Sequence, residues 1–155
     1  MTTASEQAAG ELADRAAIRE VLLRYAAAVD TRDVARVAAL FVPGSLYRGA
    51  LAVGTIETAL ANLRATLDRY EWTMHWVDHQ LIEIAGDTAR SETYAVAYHG
   101  LKHAPPARFV VGVRYLDELV RRRNGWLITH RVVTSEWQRY EGSIGGPAPE
   151  RKELE

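Results

Sequence analysis

The stretch "EWTMHWVDHQ" (71–80) places two histidines and an aspartate among tryptophans and aliphatic residues, in what reads as a β-strand. Histidine titrates near neutrality, so it is the side chain best suited to take up and return protons at physiological pH. Alternate residues of a strand share a face. His75, Val77, His79 and Leu81 therefore lie together, opposite Trp76, Asp78, Gln80 and Ile82. If the first set lines an interior, His75 and His79 are both inside it, unless a bulge re-aims one of them. In the next strand Thr93, Ala95, Ala97 and His99 share a face, and the two alanines leave volume as a cavity wall would. In the last strand Leu127, Thr129, Arg131, Val133, Ser135 and Trp137 lie opposite Trp126, Ile128, His130 and Val132. Parity alone does not choose which of these two sets faces inward. Asp30 closes the first helix, where the helix dipole disfavours a negative charge and should raise its pKa. It reaches an interior only if that helix ends at the mouth. Tyr25, one turn earlier, sits within the apolar stripe.

Each residue also has a reading without chemistry. Asp30 could be an exposed helix-end carboxylate, the histidines satisfied polar groups, Tyr25 a core aromatic and Arg131 an ion-pair partner on the sheet. The three histidines could instead gather a metal. They lack metal-binding helix spacing, however, and residues 75 and 79 of a strand lie too far apart to chelate without a bulge, so no metal site is expected.

The elements that would position these groups divide into helices, then strands. Ile18, Val21, Leu22, Tyr25 and Val29 recur at helical spacing between about Ala9 and Val29. "DTRD" (30–33) breaks the pattern, "VARVAALF" (34–41) reads as a short second helix, and "VPGS" (42–45) stops it. A third helix is expected from Thr55, a good N-cap, through "IETALANLRATLDR". From residue 71 the period becomes strand-like, over 75–84, 88–100, 108–122 and 125–137, with short turns at "AGD" and "RRNG" and a proline-marked turn at "HAPPA". "LDELVRRR" has helical propensity, but its hairpin context argues for strand. Residues 1–9 and 141–155 read as a flexible start and a mobile tail, leaving one domain over 10–140. Helices followed by a meander of long strands indicate an α+β fold, a cone-shaped barrel of curved, mostly antiparallel sheet packed with three N-terminal helices. The interior of such a cone is the natural place for a small hydrophobic ligand.

The bulk composition agrees. The 155 residues suit one domain, and the hydrophobic and charged fractions of 48% and 25% are those of a globular protein. A formal net charge of -1 gives no case for nucleic acid or an anionic membrane surface, and the absence of cysteine removes disulfides and thiolate chemistry. No secretory signal or membrane span is evident, so a cytoplasmic location is expected.

The segments "LADRAAIREVLLRYAAAVDTRDVARVAALF" (12–41), "TMHWVDHQLIEIAGDTARSETYAVAYHG" (73–100) and "RYLDELVRRRNGWLITHRVV" (114–133) resemble the SnoaL-like branch of the nuclear transport factor 2-like superfamily. That branch includes scytalone dehydratase, hexachlorocyclohexane dehydrochlorinase and bile acid 7α-dehydratase. The resemblance implies that Asp30 and His75, the latter in "TMH", form a catalytic dyad. It implies that Tyr25 acts beside the dyad, that Arg131 matches the family's arginine and that His99 is a second pocket histidine, with Tyr25, Arg131 or His99 polarising a carbonyl or protonating a leaving hydroxyl. Val29 stands where scytalone dehydratase has a tyrosine, so the water-polarising tyrosine pair of that enzyme is not evident. Val29, His79, His99 and Trp137 are the expected substrate-binding residues. The implied activity is a cofactor-independent β-elimination of the dehydratase type. Alternatives are an isomerase or polyketide cyclase with the same dyad, or a binding or scaffold domain without catalysis. Relatives associate as trimers or dimers through the exposed sheet face, and a homo-oligomer is expected here.

Overall fold

The computed structural model describes residues 3–104 and 106–142. Helix α1 (Ala4–Asp30), the short α2 (Val34–Ala38) and α3 (Ile56–Leu67) pack on one face of a curved, open sheet. The sheet contains β1 (Phe41–Arg48), β2 (Val53–Thr55), β3 (Tyr70–Ala85), β4 (Thr88–Leu101), β5 (Arg108–Arg122) and β6 (Gly125–Glu141), in the order β2-β1-β6-β5-β4-β3. Every pairing is antiparallel except that of β1 with β6. The architecture is the α+β arrangement expected from the order of elements.

Helix α1 begins at Ala4, ahead of the expected start near Ala9. Thr3 and Glu6 form a capping box: the Thr3 hydroxyl accepts from the Glu6 N–H, and the Glu6 carboxylate accepts from the Thr3 N–H. The anticipated stripe, Ile18, Val21, Leu22, Tyr25 and Val29, is buried against the sheet. Each such side chain contributes roughly 1.5–3 kcal/mol. The expected tail 141–155 lies outside the described residues beyond Gly142.

The segment after α2 corrects the expected helix over 34–41. That helix ends at Ala38, and Phe41 opens β1, which runs through "VPGS" instead of stopping there. Phe41 pairs with Ile128 and Leu46 with His130, so Val42–Ser45 bulge out between them. The bulge tolerates Pro43, and Gly44 sits at φ +77° where a side chain would be strained. The Ser45 hydroxyl bridges the carbonyls of Val42 and Ile128, and the Glu57 carboxylate accepts from the Gly44 N–H. Thr55 is the N-cap of α3, but its side chain makes no capping bond. The four long strands fall where the period change put them, and "LDELVRR" is indeed strand.

Further bulges decide which side chains face the helices. In β3 the register with β4 slips between Val77 and Gln80. In β6 it slips against β5 between the Glu118–His130 and Leu119–Ile128 pairs, so that Ile128 and Arg131 both face inward, and again between the Gly112–Trp137 and Val113–Ser135 pairs.

Candidate active site

Asp30, the last residue of α1, meets the start of β3. Its Oδ1 accepts from the His75 ring Nδ1 at 2.7 Å and from the Thr73 hydroxyl at 2.8 Å, while Oδ2 accepts from the His75 backbone N–H at 2.9 Å. β3 is an edge strand, so this N–H has no neighbouring strand to pair with, and the helix-end carboxylate takes that place. Burial would push the Asp30 carboxyl up. The hydrogen bonds from His75 and Thr73 outweigh it and hold the carboxyl below its usual range. The rise expected from the helix dipole is therefore overturned by three donors at bonding distance.

An ionised carboxylate only accepts, so the His75 Nδ1 carries the hydrogen, and in the neutral ring the lone pair is on Nε2. The His75 side chain is 8% exposed and lines a cavity of about 210 Å³ between the sheet and the helices. Tyr25 and Val29 of α1 line it, together with Leu63 and Leu67 of α3. Its sheet wall includes Ala97, where the missing side-chain bulk leaves the expected room, and His99. No carboxylate or Lys/Arg side chain is in the lining among the described residues.

His99 sits between Tyr70, at 4.6 Å between ring centroids, and Phe109, at 5.5 Å. Its Nδ1 lies 3.3 Å from the Phe109 carbonyl, which suits a neutral ring donating there. Burial, aided by repulsion from a charged His75, pushes its pKa down to about 4. An unfolded His99 takes a proton below about pH 6.5, whereas the folded one resists until about pH 4. As pH falls through this window the unfolded state gains a proton that the folded state refuses, so stability falls by up to about 3 kcal/mol. His99→Phe is expected to flatten that part of the acid limb in urea titrations. An unchanged slope would show that His99 is not the group responsible.

Three expected site residues lie elsewhere. The β3 bulge turns His79 to the outer face, where its ring is 83% exposed and contacts Asp78. The β6 bulge turns Trp137 outward as well, onto Gly112, and brings Gln138 to the cavity in its place. Arg131 points inward but does not reach the cavity. Its fully buried side chain is bound through Nε and Nη2 to both oxygens of Asp117, at 2.7 and 2.8 Å. The guanidinium carbon lies 4.2 Å from the Tyr25 ring centroid, 4.6 Å from that of Tyr115 and 5.3 Å from that of Phe41. It supports two cavity walls from behind.

Sequence reasoning missed Tyr47, Tyr70, Tyr115, Ser135 and Gln138 of the lining. Tyr47 and Tyr115 are raised above the ordinary phenol pKa, chiefly by burial, and stay protonated donors at neutral pH. Alternation along β5 could have found Tyr115. Nothing in the composition marked the bulge that admits Gln138. Among the described residues, no three His, Cys, Asp or Glu side chains converge as a metal site requires.

Comparison with known proteins places this geometry. An uncharacterized protein of Mycobacterium tuberculosis is 27% identical over 135 residues, spanning 83% of this chain and 90% of its own. Among solved structures, a type 2 hexachlorocyclohexane dehydrochlorinase superposes with a TM-score of 0.77 at 20% identity, over 90% of this chain and 96% of that one. The Kfla4162 protein of Kribbella flavida superposes at 0.75 with 24% identity, over 83% and 95%. These solved structures share the fold. The SnoaL-like domain profile matches residues 10–132, and with this match spanning most of the sequence, the chain belongs to the SnoaL-like family of the nuclear transport factor 2-like superfamily.

Proposed function

We propose that the protein is a lyase of the dehydratase type that acts on a small, uncharged hydrophobic molecule without a cofactor. The carrying observation is the Asp30–His75 hydrogen bond of 2.7 Å, with the histidine facing an apolar cavity. His75 Nε2 takes the proton from a carbon next to a carbonyl, and the C–H electron pair becomes the new C=C bond. The C–O bond at the next carbon breaks, and the imidazolium gives its proton to the departing hydroxyl, which leaves as water and restores the neutral histidine. Asp30 fixes the tautomer and stabilises the imidazolium meanwhile. The uncharged lining favours a neutral substrate, because nothing there would pair with a carboxylate or phosphate. The dehydrochlorinase likeness supports elimination, which uses the same proton abstraction with a different leaving group.

Screening β-hydroxy-ketones for loss of water, with His75→Ala as control, tests this reading. The variant should lose about 10²–10⁴-fold in turnover. Equal turnover by the two proteins would refute the role of His75. The same reading has copies of the chain associating through the outer sheet face, where Met74, Trp76, Leu81 and Trp137 are exposed. A monomeric mass by light scattering would remove that part.

A further inference from the structure

Helix α1 stops in a way its sequence does not favour. The Asp33 N–H bonds to the Ala28 carbonyl at 2.8 Å and the Arg32 N–H to that of Val29 at 3.0 Å, a double-bonded helix ending that needs a left-handed residue at position 32. Glycine ordinarily fills it. Here the residue is arginine, at φ +61°, and it has positive φ alone of the non-glycine residues described. Backbone demands alone do not explain a long side chain at a position that penalises any side chain.

The guanidinium supplies the reason. Nη1 donates to the carbonyl of Leu67, the last residue of α3, at 2.8 Å. Nη2 donates to the carbonyls of Tyr70 and Glu71, the first two residues of β3, at 2.6 and 3.0 Å. Arg32 follows Asp30 by two positions, and Glu71 precedes Thr73 by two. A single side chain thus ties the peptide that carries the carboxylate to the peptide that carries both side chains bound to it. The three carbonyls diverge, and a planar fork of five N–H donors can span them where an ammonium point charge cannot.

We infer that Arg32 is a positioning residue for the Asp30–His75 pair, its clamp setting the approach of α1 to β3 and hence the histidine tautomer. The inference rests on the reading of that pair as the reacting groups. Arg32→Gly separates the two roles of the position. It relieves the backbone strain and keeps the helix ending, but removes the clamp. A residue that only stops the helix would be replaced by glycine without harm.

The experiment is long-range ¹H–¹⁵N correlation of the histidine rings in the full chain, alongside turnover of a β-hydroxy-ketone. The parent protein should show His75 as a single tautomer protonated on Nδ1. Arg32→Gly should show a mixture of tautomers and a turnover lower by about 10²-fold, with less change in KM. Arg32→Asn, which also accepts a left-handed backbone, should behave like glycine, and Arg32→Lys should restore part of the tautomer order. A single Nδ1–H tautomer retained in both Arg32→Gly and Arg32→Asn overturns the inference. So does loss of fold in both, which would make the clamp a tie on which the whole fold depends rather than a positioning device for the pair. Tautomer order lost in the variants, with no turnover even by the parent, would uphold the clamp and refute the lyase reading.

Discussion

Arg131→Met is expected to destabilise the fold by about 3–5 kcal/mol, because it leaves the buried Asp117 carboxylate without the guanidinium that binds both of its oxygens. Both side chains of the pair are fully buried, and both Asp117 oxygens are bound by the guanidinium. Arg131→Met combined with Asp117→Leu should recover most of the loss, since two apolar groups of similar volume leave no charge to desolvate. Urea denaturation of the single and double variants measures the difference. If the double variant is as unstable as the single one, the aromatic cage rather than the ion pair is what the fold depends on. The double variant also isolates a chemical question. The family resemblance implied a direct part for Arg131, but the structure places it behind Tyr25 and Tyr115. A folded double variant should retain turnover within about tenfold, the cost of slightly loosened walls rather than of a lost catalytic group.

Asp30→Asn should lower turnover by on the order of 10³–10⁴-fold while the chain stays folded. The three donors that meet the carboxylate dictate this outcome. The His75 backbone N–H can only donate, so it claims the single oxygen of the amide. The amide NH₂ must then face Thr73 and the ring. The Thr73 hydroxyl can turn and accept, and the His75 Nδ1 can accept only by giving up its hydrogen. The ring proton therefore moves to Nε2, where the free base is needed. Asparagine does not merely weaken the pair; it reverses the tautomer. Kinetics of Asp30→Asn beside His75→Ala check this, with both variants expected at a similar floor. An Asp30→Asn protein within about tenfold of the parent would show that the carboxylate does not set the tautomer.

Each member of the pair could be singled out from the residues because it sits at an end of a strongly periodic element, while their pairing was implied by the family resemblance. Asp30 follows the last buried residue of the α1 stripe, and strand alternation put His75 on one face with Val77; the structure turns that face inward at His75 and pairs it with Ala97. The same alternation misplaced His79 and Trp137. A bulge inserts one residue into the ladder and flips everything beyond it, yet it requires no particular residue type and leaves no compositional trace. His75 lies before the β3 bulge and His79 within it, so the same rule succeeded for one and failed for the other. Strand β1 was hidden for the opposite reason. Pro43 and Gly44 are strong stop signals locally, but they sit in the irregular part of a strand whose neighbour, β6, lies far along the chain. Losing β1 as a strand lost Tyr47 as a wall. The Asp30 pKa failed because the helix dipole is a weak, general field beside three specific donors.

The outer edge of β3 has a further consequence for how this chain behaves in a crowded solution. A sixteen-residue edge strand is a template on which another chain's strand can add. Here helix α1 and the turn that ends it occupy that template with side chains: Arg15 covers the Ile82 carbonyl, Asp30 the His75 amide, and Arg32 the carbonyls of Tyr70 and Glu71. The carboxylate that binds the histidine is thus also a stopper against strand addition, so the proposed reactivity of the cavity and the resistance of the chain to aggregation depend on the same side chain.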